Sequence, residues 1–246
     1  MMKNSHRATG MRRGFVVSAV LALTLALAAA AHGTVREVGA QTLFTAPTCE
    51  NNTCQVLTRT TVFQLKVGNR ANVSRVPRDG NVVAYTLYLP SVVSKFYTYF
   101  STTFNGAPTA RVSILRRTPR KGVTKYRYTL VGQSEKLNVK RYLGGAPTFA
   151  LAKPLPVKRG DVIALTTDSW IPNFILRNED LTSTWRSSRP KGKCSREGTD
   201  ITNLTAPTMH ETINQIKQYN CGFTGARVLY HATVVDTPTK TNPAKK

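Results

Sequence analysis

Hydrolysis of a glycosidic bond needs two carboxylates facing each other across a cleft. The chain has 12 acidic residues against 35 basic ones, and most of the acids have simpler roles. Asp79 and Asp161 sit beside glycines in the turn-like stretches Pro77-Arg78-Asp79-Gly80 and Lys158-Arg159-Gly160-Asp161. Glu179-Asp180 is an adjacent pair in a polar stretch. Asp168 stands apart, because it follows the apolar run Val162-Ile163-Ala164-Leu165 and precedes Trp170. A carboxylate beside an aromatic at a strand end suits a sugar site, so Asp168 is the best single acid for a carbohydrate-active enzyme. An ordinary loop start explains it equally simply.

Nucleophilic chemistry has less support. No G-x-S-x-G elbow is present. His210 falls in a loop, and His231 alternates with Leu229 and Thr233 as a strand histidine would. Gly144-Gly145 reads as a turn and not as a phosphate cradle. Arg159-Gly160-Asp161 spells an adhesion tripeptide, but in a strand–turn–strand setting such a match arises by chance. The cysteines Cys49, Cys54, Cys194 and Cys221 are even in number. In an exported chain this implies two disulfides. Three pairings are possible, and the local one, Cys49–Cys54 with Cys194–Cys221, closes two separate loops and is preferred. Zinc would need histidines or further cysteines at ligand spacing, and no such set occurs, so no metal and no cofactor is expected.

Basic residues form the most conspicuous groups. Arg111, Arg116, Arg117, Arg120, Lys121, Lys125 and Arg127 crowd one hairpin, and Arg186, Arg189, Lys191, Lys193 and Arg196 crowd the approach to Cys194 and its far side. Tyr126, Tyr128, Trp170 and Trp185 lie among or near them. Arginine with interleaved aromatics can hold a polyanion and stack on rings. Along one strand, however, Arg127 points away from Tyr126 and Tyr128, which separates charge from aromatic.

The elements that must position these groups begin after residue 33. Lys3, Arg7, Arg12 and Arg13 precede an apolar run of about 17 residues, Phe15 to Ala31, with small residues at Ala29, Ala31 and Gly33. This is the pattern of a secretory signal peptide. The run is at the short edge of what spans a bilayer, and its Ala-rich end favours cleavage over a retained anchor. No second long apolar run follows, so no transmembrane segment is expected in the mature chain. The whole chain carries +23. Four of its basic residues and none of its acids fall in 1–33, so the remainder keeps +19. Such a field attracts polyanions, although charge that merely keeps the domain soluble is the plainer explanation.

Alternation predicts strands over 55–67, 81–89 (Val83, Tyr85, Leu87 and Leu89 on one face), 109–117 and 124–131, then a strand from Thr148 that passes through a Pro-rich link into the turn at Lys158, a buried strand from Val162, and a last one over 226–235, with a weaker strand over 137–142. Phe96, Phe100 and Phe104 instead recur at helical spacing. They predict a short amphipathic helix over about 91–104, capped by Ser91 and ended by Asn105-Gly106. Long polar loops fill 171–224, with a helical turn or two over 209–219. Residues 237–246 form a Pro- and Lys-rich tail. The fold class is therefore all-β: an antiparallel, jelly-roll-like sandwich at 34–236 with one inserted helix and disulfide-pinned loops. The strand order is not legible at this level.

The segments TARVSILRR, LVGQS, TFALAKPLPVKRGDVIALTTDSWIP and WRSSRPKGKC resemble a set of uncharacterised secreted bacterial β-sandwich proteins. The resemblance covers most of 34–235 and implies no activity. The strand–VKRGD–strand unit is similar to a turn common in jelly-roll domains. Together these readings lead to the expectation of a secreted or envelope-associated binding module for anionic polysaccharide or a cell-wall polymer, with no specific nucleic-acid partner. The alternatives are a carbohydrate-active enzyme built on Asp168 or a purely structural extracellular protein.

Overall fold

The computed structural model describes residues 33–39, 49, 54–119, 121–122, 126–176, 182–194 and 201–238. The leader, Arg120, Lys125, Glu179-Asp180, Arg196 and residues 239–246 of the tail lie outside them. In chain order the elements are β1 (Val35–Gly39), β2 (Leu57–Val67), β3 (Arg70–Ala71), β4 (Gly80–Leu87), α1 (Ser94–Thr103), β5 (Thr109–Arg117), β6 (Arg127–Gln133), β7 (Leu137–Asn138), a 3-10 turn (Lys140–Tyr142), β8 (Thr148–Val157), β9 (Val162–Ile171), β10 (Phe174–Leu176), β11 (Thr184–Ser187), α2 (Ile201–Thr205), β12 (Ile216–Gln218), β13 (Cys221–Thr224), β14 (Ala226–Val228) and β15 (Tyr230–Asp236).

Eight strands form two antiparallel arrays in the orders β1-β15-β4-β8 and β2-β9-β5-β6. The chain passes from β1 to β2 across the sandwich, back to β4, over to β5 and β6, back to β8, over to β9 and finally back to β15. That alternation is the double Greek key of a jelly roll. Inward-facing residues of both sheets, among them Val82, Tyr85, Leu87 and Val234 on one side and Val62, Val112, Ile114 and Leu165 on the other, pack into one core. Everything between β9 and β15 is an insertion. It extends the second sheet with β11 and β13 beyond β2 and with β12 beyond β6. Its stretch through His210 and Tyr219 covers part of that sheet's outer face.

Several details depart from simple alternation. Register shifts in β4 between Val82 and Ala84, toward both β15 and β8, mark a bulge. Val82 is therefore fully buried with Tyr85 and Leu87, and the half-exposed Val83 faces the other way. The expected strand over 137–142 is two residues of β7 followed by the 3-10 turn. The expected helical turn over 209–219 is a bend leading into β12. Helix α1 starts after Val93, which offers no side-chain cap, so Ser91 does not serve as one. Its end is as expected: Asn105 and Gly106 take positive φ, and the Gly106 N–H donates back to Ser101 O. Phe100 and Phe104 pack on Trp170, whose indole N–H donates to Gly106 O at 3.0 Å.

The Lys158–Asp161 turn joins two different sheets. β8 is the outer strand of the first, a position that tolerates Pro154 and Pro156. β9 is the middle of the second, flanked by β5 and β2. Cys49 is bonded to Cys54 and Cys194 to Cys221, and no described cysteine is free. Among the described residues no helix is long and apolar enough to cross a membrane.

Candidate functional site

The outer face of the second sheet carries a cleft with a volume of about 420 Å³. Its floor is set by alternation: Val62 and Leu165 point into the core, so Phe63 and Leu65 of β2, Val162 of β9 and Tyr128 of β6 point outward. Phe63 and Tyr128 meet edge-to-face with ring centroids 5.4 Å apart. One wall is the hairpin β2–β3, closed by Gly68 with a positive φ, which brings Lys66, Ala71 and Asn72 to the rim. Arg75 follows on the same wall, and Arg117 and Tyr126 stand on the other. Tyr126 is backed by the Arg186 guanidinium, 3.3 Å from its ring centroid.

Three cations therefore surround an aromatic floor. Among the described residues Lys66, Arg75 and Arg117 have no ion-pair partner. Burial raises the Tyr128 phenol above its ordinary value, and the guanidiniums of Arg117, Arg186 and Arg75 pull it the other way. A cleft of this kind can pair an anion with guanidinium forks while a ring packs on the tyrosines.

The expected basic clusters divide into separate jobs. Arg117 lines the cleft and Arg186 supports it. Arg116, its neighbour, turns away and donates from Nε and Nη2 to the buried Asp161 at 2.9 and 2.7 Å. Arg111 is engaged by Gln133, Asp168 and Glu211. Arg189 is 4% exposed and donates to the carbonyls of Thr58, Asn203 and Leu204. Burial pushes it down to about 10, and a polyanion cannot reach it. Among the described residues the Arg127 side chain reaches only Thr118 O, at 3.4 Å, while Lys121, Lys191 and Lys193 are exposed at loop tips. The sequence reading missed Lys66 and Arg75, whose place on the rim follows from a hairpin it did not identify.

The acids are also accounted for. Asp168 and Glu211 converge on one nitrogen of Arg111, with Lys136 3.6 Å from Asp168. Glu211 is raised by burial first and then by its hydrogen bond to Asp168. Two carboxylates in direct contact leave no room for a sugar between them. Trp170 is fully buried under α1 and stands in no cleft, and Asp161 of the adhesion-like tripeptide is buried. No group of three or more metal-ligating side chains occurs among the described residues.

Behind the cleft lies a buried polar network. His210 is fully buried; its Nε2 donates to Gln215 O at 2.8 Å, which leaves Nδ1 to accept from the Tyr219 hydroxyl at 3.2 Å. The His210 backbone N–H donates to Thr61, and Thr61, Thr166, Ser113 and Gln133 continue the chain of bonds back to His210 O. This network stitches the insertion to the sheet. His231 is a satisfied strand histidine, close to Tyr88 and Glu37.

Compared with protein-family models, with curated proteins and with solved structures, the chain matches none.

Proposed function

We propose that the chain is an exported binding module that holds an anionic glycan in the cleft between the β2–β3 hairpin and Tyr126. The observation that carries this reading is the set of three cations, Lys66, Arg75 and Arg117, around an aromatic floor with no described carboxylate to neutralise them. The paired disulfides and the leader-like N-terminus support export. The acid singled out for hydrolysis, Asp168, is locked with Glu211 in an ion cluster, which favours binding over hydrolysis.

Titration calorimetry with a short oligomer of uronic acid at about 0.1 M salt, where the Debye length is about 10 Å, tests the reading. Arg117→Ser and Tyr126→Ala should each weaken binding about tenfold, the scale of one charged hydrogen bond. The triple change Lys66, Arg75 and Arg117 to Ser should abolish it. The same change at Lys121, Lys191 and Lys193 removes equal charge from loop tips and should leave most of the affinity. Equal losses in the two triple variants would reduce the effect to general charge, and absence of binding by the unmodified chain would sink the proposal.

A further inference from the structure

We infer that the ligand is a linear polymer bound through an internal segment, along a groove of two cavities that meet at Arg75; this rests on the anionic-glycan reading of the first cavity. The second cavity, about 310 Å³, is lined by Asn72, Arg75, Val76, Pro77 and Arg159. Asn72 and Arg75 line both cavities, so the two adjoin at that point. Each volume lies in the range of a site for one small ligand. A compact anion or a chain end needs only the first. Cations occur along the whole course: Lys66 and Arg117 in the first cavity, Arg75 at the junction and Arg159 at the far side.

Arg75 is built into the junction. Its N–H donates to Asn72 O at 2.9 Å, and it forms a bridge with Val162. Its guanidinium lies against Gly160, which has φ +93°, and a Cβ there would come 3.1 Å from Nη2. The positive φ calls for glycine at the turn, and a Cβ there would press on the tip of the guanidinium. The nearby acids are turned elsewhere: Asp161 accepts from Arg116 and from the Lys158 N–H, and Asp79 accepts from the Arg159 N–H at 2.7 Å, which leaves the Arg159 side chain free of it. A polymer with one anion per sugar repeat can place successive charges on these guanidiniums while a ring covers Tyr126.

The test uses the full chain and uronic-acid oligomers of two, four and six residues, with a sulfated glycan hexamer, inorganic polyphosphate and single-stranded DNA of matched charge as further arms. Affinity should rise at least tenfold from dimer to hexamer for the uronate. A parallel rise for the sulfated glycan would show that the groove reads the charge on each sugar repeat and not the carboxylate in particular. Arg159→Ser should collapse the ratio of hexamer to dimer affinity. Arg75→Ser and Gly160→Ala should weaken every length, with thermal melting used to confirm that each variant is folded. Equal affinity for dimer and hexamer, or an unchanged ratio in Arg159→Ser, would overturn the internal-segment inference and leave the first cavity's role intact. Polyphosphate or DNA binding as tightly as the glycan hexamer would overturn the polymer class. If no oligomer binds, the reading of the first cavity itself fails.

Discussion

Arg116 and Arg117 are adjacent in sequence and opposite in use. Asp161 is 2% exposed, so removing Arg116 leaves a buried carboxylate with the Lys158 N–H as its remaining donor. Arg116→Ser should therefore cost about 2–3 kcal/mol, read as a shift in the urea midpoint. Arg117 is exposed and unpaired among the described residues, and Arg117→Ser should stay within about 0.5 kcal/mol. Equal destabilisation by the two changes would mean that Asp161 does not depend on Arg116. The sequence placed both arginines in one cluster because composition has no register. Arg117 shares a face with Tyr128 because the two are cross-strand partners on β5 and β6. The alternation of Arg127 against Tyr126 and Tyr128 along a single strand could not reveal that.

At the scale of elements, the insertion between β9 and β15 is held down by His210. Its ordinary value is 6.5, and burial lowers it in the folded chain, against a partly opposing hydrogen bond to Gln215 O. The unfolded chain then takes up a proton as pH falls through about 6.5 while the folded chain does not, so stability drops below that pH. His231 is lowered in the same sense by burial. Melting temperature should fall between pH 7 and 5, and His210→Gln should melt lower at pH 7 yet show a flatter fall. An unaltered pH profile in that variant would remove His210 as the cause. A strand with clean alternation, such as β5, was legible to the residue. The bulge in β4 was not, because Val82 and Val83 are equally apolar and only pairing to two neighbours decides which is inside. Nor was the sealed environment of His210 legible, since its backbone is held by Thr61 of β2 and Gln133 of β6, far away in the chain.

For the whole molecule, the two disulfides constrain very different loops. The Cys194–Cys221 separation is 27 residues and that of Cys49–Cys54 is 5. By loop-closure entropy the first should contribute about 3–4 kcal/mol and the second about 2. Paired Ser substitutions followed by urea denaturation should rank them in that order, and the reverse ranking would place the main constraint at the N-terminal loop. The fold class followed from strand spacing and turn chemistry, whereas the jelly-roll strand order required the pairing of segments far apart in the chain. The cleft was half visible: Arg117, Tyr126 and Tyr128 stood out as residue types, while Lys66 and Arg75 reach it only through a hairpin.

The place of β15 has a consequence for the order of assembly. It lies between β1 and β4, and Arg36 near the start of the described chain bonds Asp236 across 200 positions of sequence. Among the described strands β1 pairs with no other. A chain emerging from its N-terminus can complete the second sheet's β2-β9-β5-β6 array once residue 171 is out, but the first sheet stays split until residue 236 follows. Loop closure over that distance is slow. Until it occurs, β4 presents an unpaired edge to any other strand nearby. β15 is therefore the latch of the sandwich, and the nascent chain remains open to mispairing until residue 236 is out.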